Sequence, residues 1–269
     1  MSMFDSMRLY GRYLAISIRS QMQYRASFLM MIFGNFLITA IEFVGIWALF
    51  ARFGSLRAWT LPEVALFYGI INIAFGLSEG LARGFDLCAG MVKRGEFDRV
   101  LLRPRSTFLQ VLGADCQLMR AGRVVQGLVV LAWGSAALDV VWSPARILLL
   151  VGAIAGGACL FCGLRVLEAT LAFWTVESIE LMNILTYGGV ETAQYPLTIY
   201  RPWFRRLFTF VVPLACINYF PAHAILGRAD VLGSPAVVHW ISPVVGVLFL
   251  LVTIEVWRFG VRHYTSTGS

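Results

Sequence analysis

The side chains most able to do chemistry in this sequence are too scattered to form a familiar catalytic or metal site. Its three histidines, His223, His239 and His263, stand apart, and none has the HExxH spacing of a zinc site. Cys159 and Cys162 form a CxxC pair inside an apolar run, without a second pair of ligands. No GxSxG nucleophile turn is present. We therefore predict no catalytic residue, no cofactor and no metal site.

Nucleotide hydrolysis is not encoded by this chain either. A Walker A loop needs a lysine at the end of a glycine-rich turn, whereas the single lysine, Lys93, is followed by Arg94 and Gly95. If the protein works with ATP, we expect ATP and Mg²⁺ to be bound by another polypeptide.

One polar segment, residues 90–105, has the composition of a docking element. It carries both signs of charge, then three apolar residues, then Pro104, which is typical of a short amphipathic helix ended by proline. The contacts predicted with a soluble partner are polar ones from Glu96, Asp98 and Arg99, and a groove filled by Phe97 or Leu101. The alternative is a basic loop that only sets topology.

Several charges lie within apolar runs, where a buried charge costs at least ~2.5–3.5 kcal/mol. The spacing predicts two structural salt bridges, Glu79 with Arg83 and Arg165 with Glu168. Glu42 has no local partner and is the best single candidate for a pathway residue.

A second candidate pathway region is interrupted by two prolines. Pro213 and Pro221 flank Asn218, and each proline removes a backbone donor. In lipid, the freed carbonyls need partners from protein or water. The segment therefore lines a pathway, ends early as a re-entrant turn on the outer side, or is only kinked.

The composition indicates the class of fold that positions these residues. Hydrophobic residues make up 59% of the 269 residues and charged residues 14%, with a mean hydropathy of +0.75. A soluble domain carries about 25% charged residues, so this chain needs lipid as its solvent. We predict one all-α integral membrane domain over residues 1–269. The predicted spans are 28–50, 63–83, 122–141, 145–167, 207–227 and 239–261.

Charge placement predicts the orientation. With both termini in the cytoplasm, the inner segments hold seventeen Arg and Lys residues and the outer ones four, as the positive-inside rule requires. Residues 3–24 are predicted to form an amphipathic helix lying in the membrane interface. Residues 84–121 and 168–206 are predicted to be long inner loops. The basic residues cluster between apolar runs, so we expect no nucleic-acid partner.

The sequence resembles the membrane-spanning permease subunits of ABC-2-type exporters, in the branch of uncharacterised multidrug-type bacterial systems. The resemblance covers nearly the whole chain and is carried by residues 95–104, 187–191, 194–196, 212–214 and 218–221.

The resemblance implies a subunit of the bacterial inner membrane that pairs with a second permease subunit, identical or different, and docks a dimer of cytoplasmic ABC ATPases. It implies that the inner loop is the coupling helix, with Gly95, Glu96, Phe97, Asp98, Arg99, Leu101 and Arg103 as its contact residues. It also implies that helix 3–24 is a connecting helix beside membrane lipids and that the end of the fifth span is partly re-entrant. The substrate expected on this basis is amphipathic, such as a lipid, drug or secondary metabolite.

Two other classes remain open on the sequence. A secondary transporter driven by an ion gradient is disfavoured, because no inverted repeat or paired broken helices are visible. A non-transporting membrane scaffold would also explain an inner docking segment, and dependence on nucleotide separates it from an exporter.

Overall fold

The computed structural model describes residues 3–175, 178–228 and 233–265, and within these ranges the only regular elements are helices. The long helices are α1 (Met3–Gln21), α2 (Arg25–Phe53), α3 (Leu61–Ala82), α7 (Ala121–Ala137), α8 (Pro144–Leu171), α9 (Ser178–Ala193) and α14 (Val244–Arg262). The short helices are α4 (Cys88–Lys93), α5 (Phe97–Leu101), α6 (Thr107–Leu112), α10 (Pro202–Arg206), α11 (Leu214–Ile217), α12 (Tyr219–Leu226) and α13 (Ala236–Ile241). The predicted all-α fold is confirmed.

Helix α3 is the centre of the bundle and is buried along almost its whole length. It begins with a capping box, in which the Glu63 carboxylate accepts from the backbone N–H of Thr60 at 2.8 Å. It packs against α7 and α8. The α3–α7 contact depends on Gly69, where a Cβ would lie 2.7 Å from the Cβ of Leu131. Small residues of this kind let membrane helices approach closely.

One end of the bundle, which we call the Trp59 end, gathers residues that are far apart in sequence. The indole of Trp59 and the guanidinium of Arg57 both donate to Thr198, each at 3.0 Å. Arg228 pairs with Glu63 at 2.8 Å. Segments near residues 57–63, 198 and 228 therefore lie side by side.

The opposite end, which we call the Phe97 end, is closed by aromatic side chains. The ring of Phe97 contacts the rings of Phe173, Trp257 and Tyr264, with centroid separations between 5.0 and 6.0 Å. These residues follow α8, belong to α14 and follow α14, respectively. The carboxyl-terminal ends of α8 and α14 thus meet the loop that contains α4 and α5.

The predicted inner loop 168–206 contains a helix, α9, that the prediction did not include. It starts shortly after Phe173 at the Phe97 end and finishes just before Thr198 at the Trp59 end, so it runs the height of the bundle. Its polar residues, such as Glu180, Thr186 and Glu191, lower the average hydropathy below that of a simple span. Thr186 is nevertheless buried, because α9 packs on α3 and α8.

The predicted fifth span, 207–227, is not one straight helix. The stretch Pro202–Val211 ends in a π-helical turn, and Leu214–Leu226 follows it at an angle of 74°. Both ends of this bent pair lie at the Trp59 end, because Thr198 and Arg228 contact the same α2–α3 loop. The segment therefore enters and leaves at one end, as a re-entrant hairpin. Pro213 at the bend explains why no straight helix forms.

Within the described ranges, four helical stretches are long and apolar enough to cross a membrane, or five if the bent pair is counted as one span. They are Arg8–Phe53, Leu61–Lys93, Pro144–Leu171 and Val244–Arg262. Helices α7 and α9 have 17 and 16 residues and fall below this length. The number of six spans and the orientation remain predictions.

The predicted amphipathic helix 3–24 corresponds to α1, which a single 3-10 turn joins to α2. It is held by hydrogen bonds to the Phe97 side of the bundle. The hydroxyl of Tyr10 donates to the carbonyl of Leu81 and that of Ser17 to the carbonyl of Cys116, both at 2.9 Å. Its position in the membrane interface remains a prediction.

Candidate functional site

The predicted docking segment forms two short helices joined by a tight turn at the Phe97 end. Gly95 lies between α4 and α5 with φ of +66°, a left-handed conformation that favours glycine. The turn is closed by the backbone N–H of Glu96, which donates to the carbonyl of Met91 at 2.9 Å. The segment therefore forms two short helices joined by a turn rather than the single helix that we predicted.

Phe97 fixes this element to the bundle. Its side chain is fully buried among the rings of Phe173, Trp257 and Tyr264. Of the two side chains predicted to fill a groove of a partner, Phe97 or Leu101, Phe97 therefore packs inside its own chain. A fully buried aromatic ring anchors its own chain, because exposing it would lose a large apolar contact area.

The outward surface of the element is charged, with an apolar tip. Arg94 and Glu96 form an exposed ion pair at 2.9 Å, and the hydrogen bond from Arg94 lowers the pKa of the Glu96 carboxyl. The tip consists of Leu101 and Leu102, which are 40% and 85% exposed. Of the other predicted contact residues, Arg99 and Arg103 are exposed and Asp98 is half-buried.

Leu102 is an exposed contact candidate that the sequence prediction omitted. The signal for it was present, since three consecutive apolar residues cannot all face inward on a short helix. Val100 takes the buried position, and the amide of Gln110 donates to its carbonyl at 3.0 Å, which ties α5 to α6.

A network of buried charges lies directly beneath the element. Glu79 of α3 is 1% exposed and faces three arginines, with separations of 3.6 to 3.9 Å. They are Arg120, Arg123 and Arg165. The network joins α3, α7 and α8, so a displacement of one of these helices at this end changes the charge contacts of the others.

Asp86 extends the network into the loop that leads to α4. Its carboxylate pairs with Arg83 at 2.8 Å and with Arg165. The predicted pairs, Glu79 with Arg83 and Arg165 with Glu168, are therefore wrong in their partners, because the loop after α3 folds back and supplies Asp86 as a closer carboxylate. The interpretation as structural salt bridges still holds for Glu79, Arg83 and Arg165, which form ion pairs with other partners.

Glu42, the first pathway candidate, lies half-buried on α2. One carboxylate oxygen is inaccessible to solvent and has no hydrogen-bond partner within the described residues. Arg123 and Glu191 are the charged groups close enough to act on it. A buried carboxylate without full compensation is costly, so its retention here is consistent with a functional role.

The other three pathway candidates belong to the re-entrant hairpin, away from α2. Pro213 and Pro221 are buried, and Asn218 is 2% exposed. The amide of Asn218 donates to the carbonyl of Ala193, which satisfies an otherwise free acceptor at the end of α9. The four predicted pathway residues thus do not form one site, and Asn218 has a structural contact.

Potential metal ligands are dispersed in the part of the chain that the structure describes. Within those ranges, no group of three or more His, Cys, Asp or Glu side chains is arranged to hold an ion.

The comparison with protein families agrees with this architecture. The family model described as "ABC-2 family transporter protein" matches residues 36–268, from the fourth turn of α2 to beyond the end of α14. No curated protein and no solved structure matches the chain. The match covers α3 to α14 in full, including the docking segment and the re-entrant hairpin, and leaves out α1 and the first eleven residues of α2. The chain is therefore a multi-pass membrane protein of the ABC-2 transporter family, a family of permeases.

Proposed function

We propose that this chain is the membrane-spanning permease subunit of an ATP-driven exporter and that it couples to a separate cytoplasmic ATPase through residues 88–105. The observation that carries this proposal is the construction of the Phe97 end. The element is anchored inside by Phe97, while its charged surface and its leucine tip face outward. A docking surface that is rigidly tied to the bundle can transmit a push from a soluble motor.

The proposed topology has six passes, α2, α3, α7, α8, α9 and α14, with both termini and the Phe97 end in the cytoplasm. The re-entrant hairpin then lies outside, and three arginines, Arg201, Arg205 and Arg206, move with it. This leaves fourteen basic residues inside against seven outside, so the positive-inside bias is smaller but has the same sign.

A second permease subunit would pack against α2. Most apolar side chains of α2 are exposed, and a groove of about 440 Å³ opens between α2 and α7. Aromatic and aliphatic side chains line it, including Phe43, Trp47 and Trp133. We propose that this face contributes to a path for an amphipathic substrate between two permeases of a bacterial inner membrane. ATP and Mg²⁺ would bind to the ATPase alone.

The transmission step follows from the charge network. Closure of an ATPase dimer on ATP would push on α4 and α5, and Asp86 and Glu79 would pass the displacement to α8 and α7. The bundle would then shift between two packings, because close-packed interfaces move between discrete arrangements.

The test is to purify the chain gently from its native host, identify co-purifying ATPases and measure ATP hydrolysis. A Leu101→Ser, Leu102→Ser variant should lose the ATPase or its stimulation, since it removes the exposed apolar tip while leaving Phe97 in place. The matched control is Val141→Ser, which changes a residue that is 79% exposed in the α7–α8 connection.

If the control and the tip variant retain the ATPase equally, residues 88–105 are not the coupling element. If no ATPase accompanies the unsubstituted chain and nucleotide has no effect, the exporter proposal fails as a whole.

A further inference from the structure

A groove of about 590 Å³ lies against the re-entrant hairpin. The proposed coupling to an ATPase does not account for it. Its wall is built from α10, the π-helical turn, α11, α12 and α13. The residues that matter are two arginines and four apolar side chains, namely Arg205, Arg206, Phe210, Cys216, Phe220 and Val238. Among the lining residues that the structure describes, none is a carboxylate.

The cationic part of the groove has unused hydrogen-bonding capacity. Arg205 is half-buried, and its Nε is inaccessible to solvent and without a hydrogen-bond partner within the described residues. Arg206, beside it, is exposed. A buried donor without an acceptor costs free energy, so an anion placed here would be stabilised by both guanidinium groups.

The remainder of the groove is mostly apolar. Phe210 is 80% exposed although its side chain is large and apolar. Cys216 and Val238 continue the same wall. Trp203 and Trp240 on the adjoining helices are 64% and 44% exposed, and tryptophan is enriched where a protein meets the membrane–water interface.

We propose that this groove binds one anionic phospholipid of the surrounding bilayer, with its phosphate on Arg205 and Arg206 and an acyl chain along Phe210 and Val238. A guanidinium presents a planar fork of donors that matches phosphate oxygens. A water-soluble anion would use the arginines but gain nothing from the apolar wall. A zwitterionic lipid carries a second charge that the two cations repel.

The experiment is native mass spectrometry of the purified full-length protein after partial delipidation, with phosphatidylglycerol or phosphatidylcholine of equal chain length added back. The unsubstituted protein should retain phosphatidylglycerol preferentially. An Arg205→Gln, Arg206→Gln variant should retain about tenfold less of it, as expected for the loss of a charge-assisted hydrogen bond. Arg201→Gln is the matched control, because Arg201 is an exposed arginine of the same segment that does not line the groove.

Two further variants separate the lipid site from misfolding and from simple anion binding. Arg205→Lys with Arg206→Lys keeps the charge and should keep the preference for the anionic lipid. Phe210→Ser, at an exposed position, should weaken retention of the lipid while leaving the preference for its headgroup unchanged.

Three results would overturn the proposal. They are equal retention of both lipids by the unsubstituted protein, unchanged retention by the double Gln variant, and displacement of the lipid by glycerol phosphate at the same concentration as by the intact lipid. The test measures lipid binding and not transport, so its outcome is independent of whether an ATPase partner exists.

Discussion

At the scale of single residues, Phe97 decides whether the docking segment is held in place. Because its ring is fully buried against Phe173, Trp257 and Tyr264, Phe97→Ala should lower the free energy of unfolding by about 3–5 kcal/mol. Thermal unfolding in detergent measures the change. Leu101→Ala is the control and should cost much less, since Leu101 is 40% exposed. Equal losses from both changes would contradict the assignment of Phe97 as the anchor.

Glu79 is the second residue whose environment gives a sharp expectation. Glu79→Gln should destabilise the protein by about 3–5 kcal/mol, because it leaves the nearly inaccessible Arg165 with Asp86 as its remaining carboxylate partner. Glu255→Gln breaks an exposed ion pair with Arg258 and should change stability by about 1 kcal/mol or less. Unfolding curves of the two variants that coincide would show that the network contributes no stability.

At the scale of elements, α9 and the hairpin distinguish the folded chain from its hydropathy profile. If α9 crosses the membrane, residue 203 lies outside, whereas an inner loop at 168–206 would place it in the cytoplasm. Trp203 is 64% exposed, so a cysteine introduced there would be reachable. In intact cells, Trp203→Cys should react with a membrane-impermeant maleimide, and Arg99→Cys should react only after permeabilisation. The unsubstituted chain supplies the background from its five native cysteines. If position 203 reacts only after permeabilisation, the predicted inner loop 168–206 is correct and α9 does not cross the membrane.

The elements also show how far the sequence can be read. Helices α2, α3, α8 and α14 were predictable, because each carries a long apolar run that only lipid or a core can accommodate. Helix α9 was missed because Glu180 and Glu191, which are both exposed, interrupt its apolar sequence. The hairpin was assigned as a span, since Leu207–Val211 and Leu214–Ile217 are apolar enough to suggest one, although Pro213 and Pro221 indicated that it is interrupted.

The charge pattern predicted where the docking segment lies in the sequence. It did not predict the direction in which each side chain points. Hydropathy indicates that Phe97 and Leu102 are both apolar; it does not indicate which of the two meets the bundle. That choice depends on Phe173, Trp257 and Tyr264, which lie more than 70 residues further along the chain. Long-range packing of this kind cannot be obtained from periodicity within one segment.

At the scale of the whole molecule, the bundle is organised around α3, and α2 stands at its edge. Helix α2 has only three buried residues, Thr39, Ile46 and Phe50, and its main contact is with α7. Gly122 of α7 allows this contact, because a Cβ there would lie 2.1 Å from the carbonyl oxygen of Ile32. The outward face of α2 is thus an apolar surface that a second subunit could cover.

The order in which the chain is synthesised gives this edge position a consequence. Helix α2 leaves the ribosome before α7, so Glu42 reaches the membrane well before Arg123, one of the charges that act on it. A carboxylate alone in hydrocarbon is unfavourable by ~2.5–3.5 kcal/mol. We therefore expect the first span to be least stable before α7 is synthesised. The later arrival of α7 brings Arg123 to Glu42, so we expect the nascent protein to depend most on the insertion machinery during the synthesis of residues 54–120.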